Sequence, residues 1–88
     1  MDDILQKAAE KLSLPADVVA GAPRVEITGC RQVFIENHRG VLEYGSELID
    51  VNGGRVTVRI EGADLTLKAM NKNELLIGGN IMSVSFKY

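Results

Sequence analysis

At Arg24 the apolar pattern of this chain changes period, from 3.6 residues to two, and the change fixes what most of the chain can become. Val56, Val58 and Ile60 alternate with Arg55, Thr57, Arg59 and Glu61, the pattern of a half-buried strand. Val25 and Ile27, Val33 and Ile35, and Leu65, Leu67 and Ala69 alternate in the same way, and Ile81–Phe86 forms a last run. Turn-forming residues separate the runs: Gly29, Asn37-His38-Arg39-Gly40, Gly45-Ser46, Asn52-Gly53-Gly54, Gly62-Ala63, Asn71-Lys72-Asn73 and Gly78-Gly79. Links this short cannot hold crossover helices, so neighbouring strands are expected to be antiparallel.

Before Arg24 the period is helical. Asp2 and Asp3 suit a helix N-terminus, and Ile4, Ala8 and Leu12 share a face with Leu5 and Ala9 beside them. This predicts a helix over roughly residues 2–12 and a shorter one from Pro15 to about Ala20, ended by Gly21 and Pro23. The expected fold is mainly β: a small antiparallel meander folded into a sandwich or roll of about seven short strands, with one or two short N-terminal helices. A short β-solenoid is the alternative architecture. The 88 residues allow one domain, with 1–21 a helical N-terminal segment and 24–88 the β domain.

Two hairpin registers agree with each other. A two-residue turn at Gly53-Gly54 sets Val51 opposite Val56 and Ile49 opposite Val58. A second at Gly62-Ala63 sets Ile60 opposite Leu65 and Val58 opposite Leu67. Together they put Ile49, Val51, Val56, Val58, Ile60, Leu65 and Leu67 on one face. Val41-Leu42, Leu48-Ile49, Leu75-Leu76-Ile77 and Ile81-Met82 are apolar on both faces and call for cover on both.

Composition narrows the function classes. A formal net charge of −2 argues against a nucleic-acid or anionic-membrane binder. Arg24, Arg31, Arg55 and Arg59 could form a basic patch, but Asp50 and Glu61 lie near them. Only four aromatic residues are present, none of them Trp, so an RNA-stacking surface is not expected. The N-terminus reads as neither a signal peptide nor a membrane span. Cys30 is the only cysteine, which excludes an intramolecular disulfide and fits a reducing cytoplasm.

No catalytic constellation is legible. His38 is the only histidine, and with Cys30 it gives two metal ligands where zinc takes about four. Gly45-Ser46 lacks the second glycine of a nucleophile elbow. Gly53-Gly54 and Gly78-Gly79 lack the lysine of a phosphate loop. No catalytic, metal or cofactor residues are therefore expected, and the chain is read as a non-enzyme. Asn37-His38-Arg39-Gly40 reads as a type I turn with Gly40 in the left-handed region. This fixes Asn37 and Gly40 and leaves His38 and Arg39 pointing outward, so these four residues are the candidate protein-interaction site.

Three segments carry a family resemblance. They are Leu14-Pro15-Ala16-Asp17-Val18-Val19 with Pro23-Arg24; Ile35-Glu36-Asn37-His38-Arg39-Gly40-Val41-Leu42; and Leu65-x-Leu67-Lys68 leading to Glu74-Leu75 and Gly79-x-Ile81. In this order and spacing the chain resembles the YabP/YqfC family of sporulation proteins, nearest its YqfC branch. The resemblance implies a structural or adaptor role in bacterial endospore formation, in the mother-cell cytoplasm or peripheral to the forespore membrane. It implies a YqfD-type membrane sporulation protein as partner; the two-faced apolar stretches allow self-assembly into a homo-oligomer instead, and with no long apolar run direct membrane insertion is not expected. A small-ligand or carbohydrate-binding β module is the alternative function, and it requires a concave pocket with convergent polar groups.

Overall fold

A computed structural model describes residues 21–88. The helices expected over 2–12 and 15–20 lie outside the described residues. The described chain forms six strands: β1 (Arg24–Thr28), β2 (Gln32–Glu36), β3 (Val41–Tyr44), β4 (Leu48–Asn52), β5 (Thr57–Met70) and β6 (Glu74–Lys87). They make one antiparallel sheet in the order β1-β2-β6-β5-β4-β3. Strands β3 to β6 are a meander, and the β1–β2 hairpin joins it alongside β6. Every pairing is antiparallel, within one sheet and mostly between hairpin-linked strands instead of stacked coils, so the solenoid alternative is overturned. The expected count of about seven strands becomes six.

The count differs because two expected turns, at Gly62-Ala63 and Gly78-Gly79, lie inside strands. Gly62-Ala63 was expected to close a hairpin; instead Gly62 pairs with Ile81 and Ala63 with Asn80, within the 14-residue β5. Gly78-Gly79 likewise lies within the 14-residue β6. The turn between these strands is Asn71–Asn73, where Asn71 Oδ1 accepts from the amides of Asn73 (2.9 Å) and Glu74 (2.7 Å). The glycines mark a bend instead of a turn. The pairing shifts between Ala63 and Thr66, Asp64 has φ 54°, and Gly79 opposite has φ 136°. A Cβ on Gly79 would lie 2.6 Å from the Asp64 carbonyl oxygen, so only glycine fits there without displacing backbone.

At the bend each long strand changes neighbours. The first half of β5 pairs with β4 and the first half of β6 with β2. The amides of Gly62 and Leu65 donate to the carbonyls of Glu47 (3.0 Å) and Ser46 (2.8 Å). On the other side the amides of Gly79 and Ile81 donate to Arg31 (3.1 Å) and Cys30 (2.8 Å).

The core is one cluster of nine buried side chains: Val33, Ile35, Ile49, Val51, Val58, Ile60, Leu65, Leu75 and Ile77. Each such side chain contributes about 1.5–3 kcal/mol by leaving water. Five of the seven residues expected on one face are in it, with Val56 and Leu67 half-buried. The expected register is nonetheless corrected: Val51 pairs with Val58 and Ile49 with Ile60. The loop spans four residues instead of two, closed by the Gly53 amide donating to the Val56 carbonyl at 2.8 Å. A slip of two residues preserves the side-chain face, which is why the core reading survives it.

Candidate functional site

The segment Asn37-His38-Arg39-Gly40 is not a hairpin tip. β2 and β3 are not neighbours in the sheet, β6, β5 and β4 lying between them, and these residues carry the chain from one to the other. Asn37 takes a left-handed conformation, φ 63°, which Asn tolerates better than most residues, and Gly40 has φ 112°. The amides of Asn37 (2.7 Å) and His38 (3.4 Å) donate to the Asn73 carbonyl in the β5–β6 turn. Two residues on, the Arg39 amide donates to the Asn52 carbonyl (2.7 Å) and the Asn52 amide to that of Gly40 (2.8 Å). The segment is thus a strap tied to the β5–β6 turn at one end and to the end of β4 at the other. The Asn37 side-chain amide also donates to the Ala22 carbonyl at 3.1 Å.

His38 is the second correction. It was expected to point outward, yet it is buried, with 7% of its surface exposed. Its Nδ1 accepts from the Gly40 amide at 3.0 Å, so that nitrogen carries no proton. Its Nε2 therefore carries the hydrogen and donates to the Asn71 carbonyl at 2.8 Å. With both ring nitrogens engaged, the imidazole clasps the strap to the β5–β6 turn, a structural duty that leaves no nitrogen for a ligand.

Arg39 is exposed and lies over the β4–β5 loop, where a Cβ on Gly54 would sit 3.3 Å from its Nε. A cleft opens beside it, edged by Pro23, Gly54, Arg55 and Tyr88, and it presents two guanidinium groups and one aromatic ring.

Arg24, Arg31 and Arg59 each have a side-chain partner of their own. Arg24 pairs with Glu36 at 3.4 Å, and Arg31 donates to the Asn80 side chain at 2.9 Å. Arg59 is held by Asp50 in two bonds, Nε to Oδ1 and Nη2 to Oδ2, both 2.9 Å. Asp50 is 7% exposed, and the Arg59 hydrogen bonds, aided by attraction to Arg59 and Lys87, hold its carboxyl below the ordinary 3.8 against the opposing cost of burial. The same bonds to Asp50 raise the Arg59 guanidinium. The two residues are directly opposite on β4 and β5. Each is the polar member of an apolar triplet, Ile49-Asp50-Val51 and Val58-Arg59-Ile60, the signal that identifies the pair once the register is right. Cys30 is exposed, and the described residues contain no group of His, Cys, Asp and Glu able to hold a metal ion. No helix among them is long and apolar enough to cross a membrane.

Large apolar side chains remain in water. Leu42, Tyr44, Met70, Met82, Phe86, Ile27 and Tyr88 are all about half exposed or more, with Met82 at 75%. Leu42 and Met82 are the outward members of the two-faced pairs Val41-Leu42 and Ile81-Met82.

Residues 20–88 match the model of the YabP family. Over 75 residues the chain is 31% identical to the uncharacterized protein YqfC of Bacillus subtilis (strain 168), an alignment covering 85% of this chain and 81% of that protein. No solved structure matches the chain.

Proposed function

The chain belongs to the YabP family, and from that membership we propose that it is a non-catalytic structural or adaptor protein of bacterial endospore formation. It acts by docking to a membrane sporulation protein of the YqfD type or by assembling with itself, in the mother-cell cytoplasm at the forespore membrane. The sheet is taken as rolled around its single core, so that outward apolar side chains are surface and not unfinished interior. The observation that carries the reading is the number of large apolar residues left in water on so small a domain, Met82 above all.

Of the four residues expected at the interaction site, Arg39 offers its side chain to a partner. Asn37 and Gly40 set the backbone, and His38 holds the strap in place. The cationic cleft of Arg39 and Arg55 suits an acidic segment on the partner's cytosolic part.

The test is capture of partners from membranes of sporulating cells by the tagged full chain, read by mass spectrometry. A membrane sporulation protein should be enriched by the parent and reduced with Arg39→Ala. Deletion of the gene with unchanged spore yield would sink the reading.

A further inference from the structure

We infer that the outer edge of β6, from Met82 to Lys87, is a self-pairing edge that takes β6 of a second copy in antiparallel register. The inference rests on the self-assembly arm of the function proposed above and gives that arm a surface.

The edges of the sheet differ in how they are finished. Along one side, Leu65 and Gly62 of β5 are bonded to the β3–β4 loop, and the Leu67 amide donates to the Tyr44 hydroxyl at 3.1 Å. Along the other, β6 is bonded to the β1–β2 turn as far as Ile81. Past Ile81, β6 pairs with β5 alone among the described residues, through Lys87 opposite Thr57. This open stretch also carries exposed apolar side chains: Met82 at 75% and Phe86 at 49%, with Tyr88 following. An extended, unpaired strand edge with apolar side chains is a template for another strand.

Self-complementarity selects a second copy as the occupant. A two-fold axis at Val84 sets Ser83 opposite Ser85, Met82 opposite Phe86 and Ile81 opposite Lys87. An axis at Ser85 sets Val84 opposite Phe86, Ser83 opposite Lys87 and Met82 opposite Tyr88. Neither register opposes like charges, and each brings Met82, which the β5–β6 pairing skips at a bulge, to the end of the paired stretch near an aromatic residue of the copy. The terminal strands of the sheet are built differently: β3 has only four residues, with a bulge between Val41 and Glu43, and β1 is charged at its centre. Glu26 stands at the middle of its five residues, so centred self-pairing opposes two carboxylates. The β6 pairing is isologous and closes as a dimer.

The test is sedimentation velocity on the purified full chain over a concentration series, with hydrogen exchange of the β6 amides. A dimer is expected, with exchange of residues 82–87 slowing as concentration rises. The double change Ser83→Lys with Ser85→Lys opposes cations in either register and should raise the dimer dissociation constant at least about tenfold. Met82→Lys, at an exposed position, should weaken it in the same direction, and Glu26→Lys should leave it unchanged. A parent that stays monomeric overturns the inference, and so does a dimer indifferent to the β6 changes in folded protein. A monomer whose β6 edge is already protected shows the chain's own N-terminal segment there, and overturns it as well. A monomer that still captures a membrane partner overturns the self-pairing alone and leaves the adaptor function standing.

Discussion

Nε2 of His38 donates to the carbonyl oxygen of Asn71 at 2.8 Å, and this bond ties the β2–β3 strap to the β5–β6 turn 33 residues away. Because Nδ1 of the same ring accepts from the Gly40 amide, the imidazole satisfies one backbone acceptor and one backbone donor at once. The strap has to cross from β2 to β3 past the three strands between them, and the clasp fixes where it passes.

His38→Ala leaves both backbone groups without their partner and opens a space beside the strap. It should lower stability by about 2 kcal/mol, whereas Arg39→Ala, on the exposed side of the same segment, should stay within about 0.5 kcal/mol. Chemical denaturation of both variants measures the contrast. Equal stabilities would show that the clasp contributes nothing.

Val58→Asp places a carboxylate at a fully buried site between Val51 on β4 and Phe86 on β6. The cost is several kcal/mol, comparable with the ~5–15 kcal/mol that holds a typical domain together. The variant should lose its cooperative melting transition in circular dichroism.

Gly79→Ala forces a side chain into a backbone with φ 136° and against the Asp64 carbonyl. It should destabilise by at least about 2 kcal/mol, far more than alanine at an ordinary strand position. Gly29→Ala is the comparison: φ there is 56°, but a Cβ meets nothing within 4 Å, so only the backbone strain remains. Thermal melts that rank the two equally would refute the close approach at the bend.

Asp50 gives the protein an acid dependence. Its carboxyl titrates below the ordinary 3.8 in the folded state because Arg59 holds it charged. Its contribution is therefore complete above that value and is lost as the pH falls through the lower, folded-state value. Between about pH 6 and about pH 2.5 the melting temperature of the parent should fall more steeply than that of Asp50→Asn. Parallel slopes would remove Asp50 from the acid response.

The sequence by itself determined the strand period and the core face. Alternation with a period of two is local, and it survives a register error of two residues, so Ile49, Val51, Val58, Ile60 and Leu65 were legible as core. The true turn at Asn71-Lys72-Asn73 was legible too, since Asn71 bonds to amides only two and three residues away. Only the tertiary structure decided whether a glycine pair ends a strand or bends it. Gly62-Ala63 and Gly78-Gly79 carry a local turn signal like that of Gly53-Gly54, but Gly62 and Ala63 pair with Ile81 and Asn80, and Gly78 pairs with Thr66, so both stretches are held inside β5 and β6. The fate of His38 was decided in the same way. A histidine flanked by Asn, Arg and Gly reads as a turn residue in water, because its flanks carry no apolar burial signal. What buries it is the β5–β6 turn, brought over it by pairings that no local window of the sequence contains.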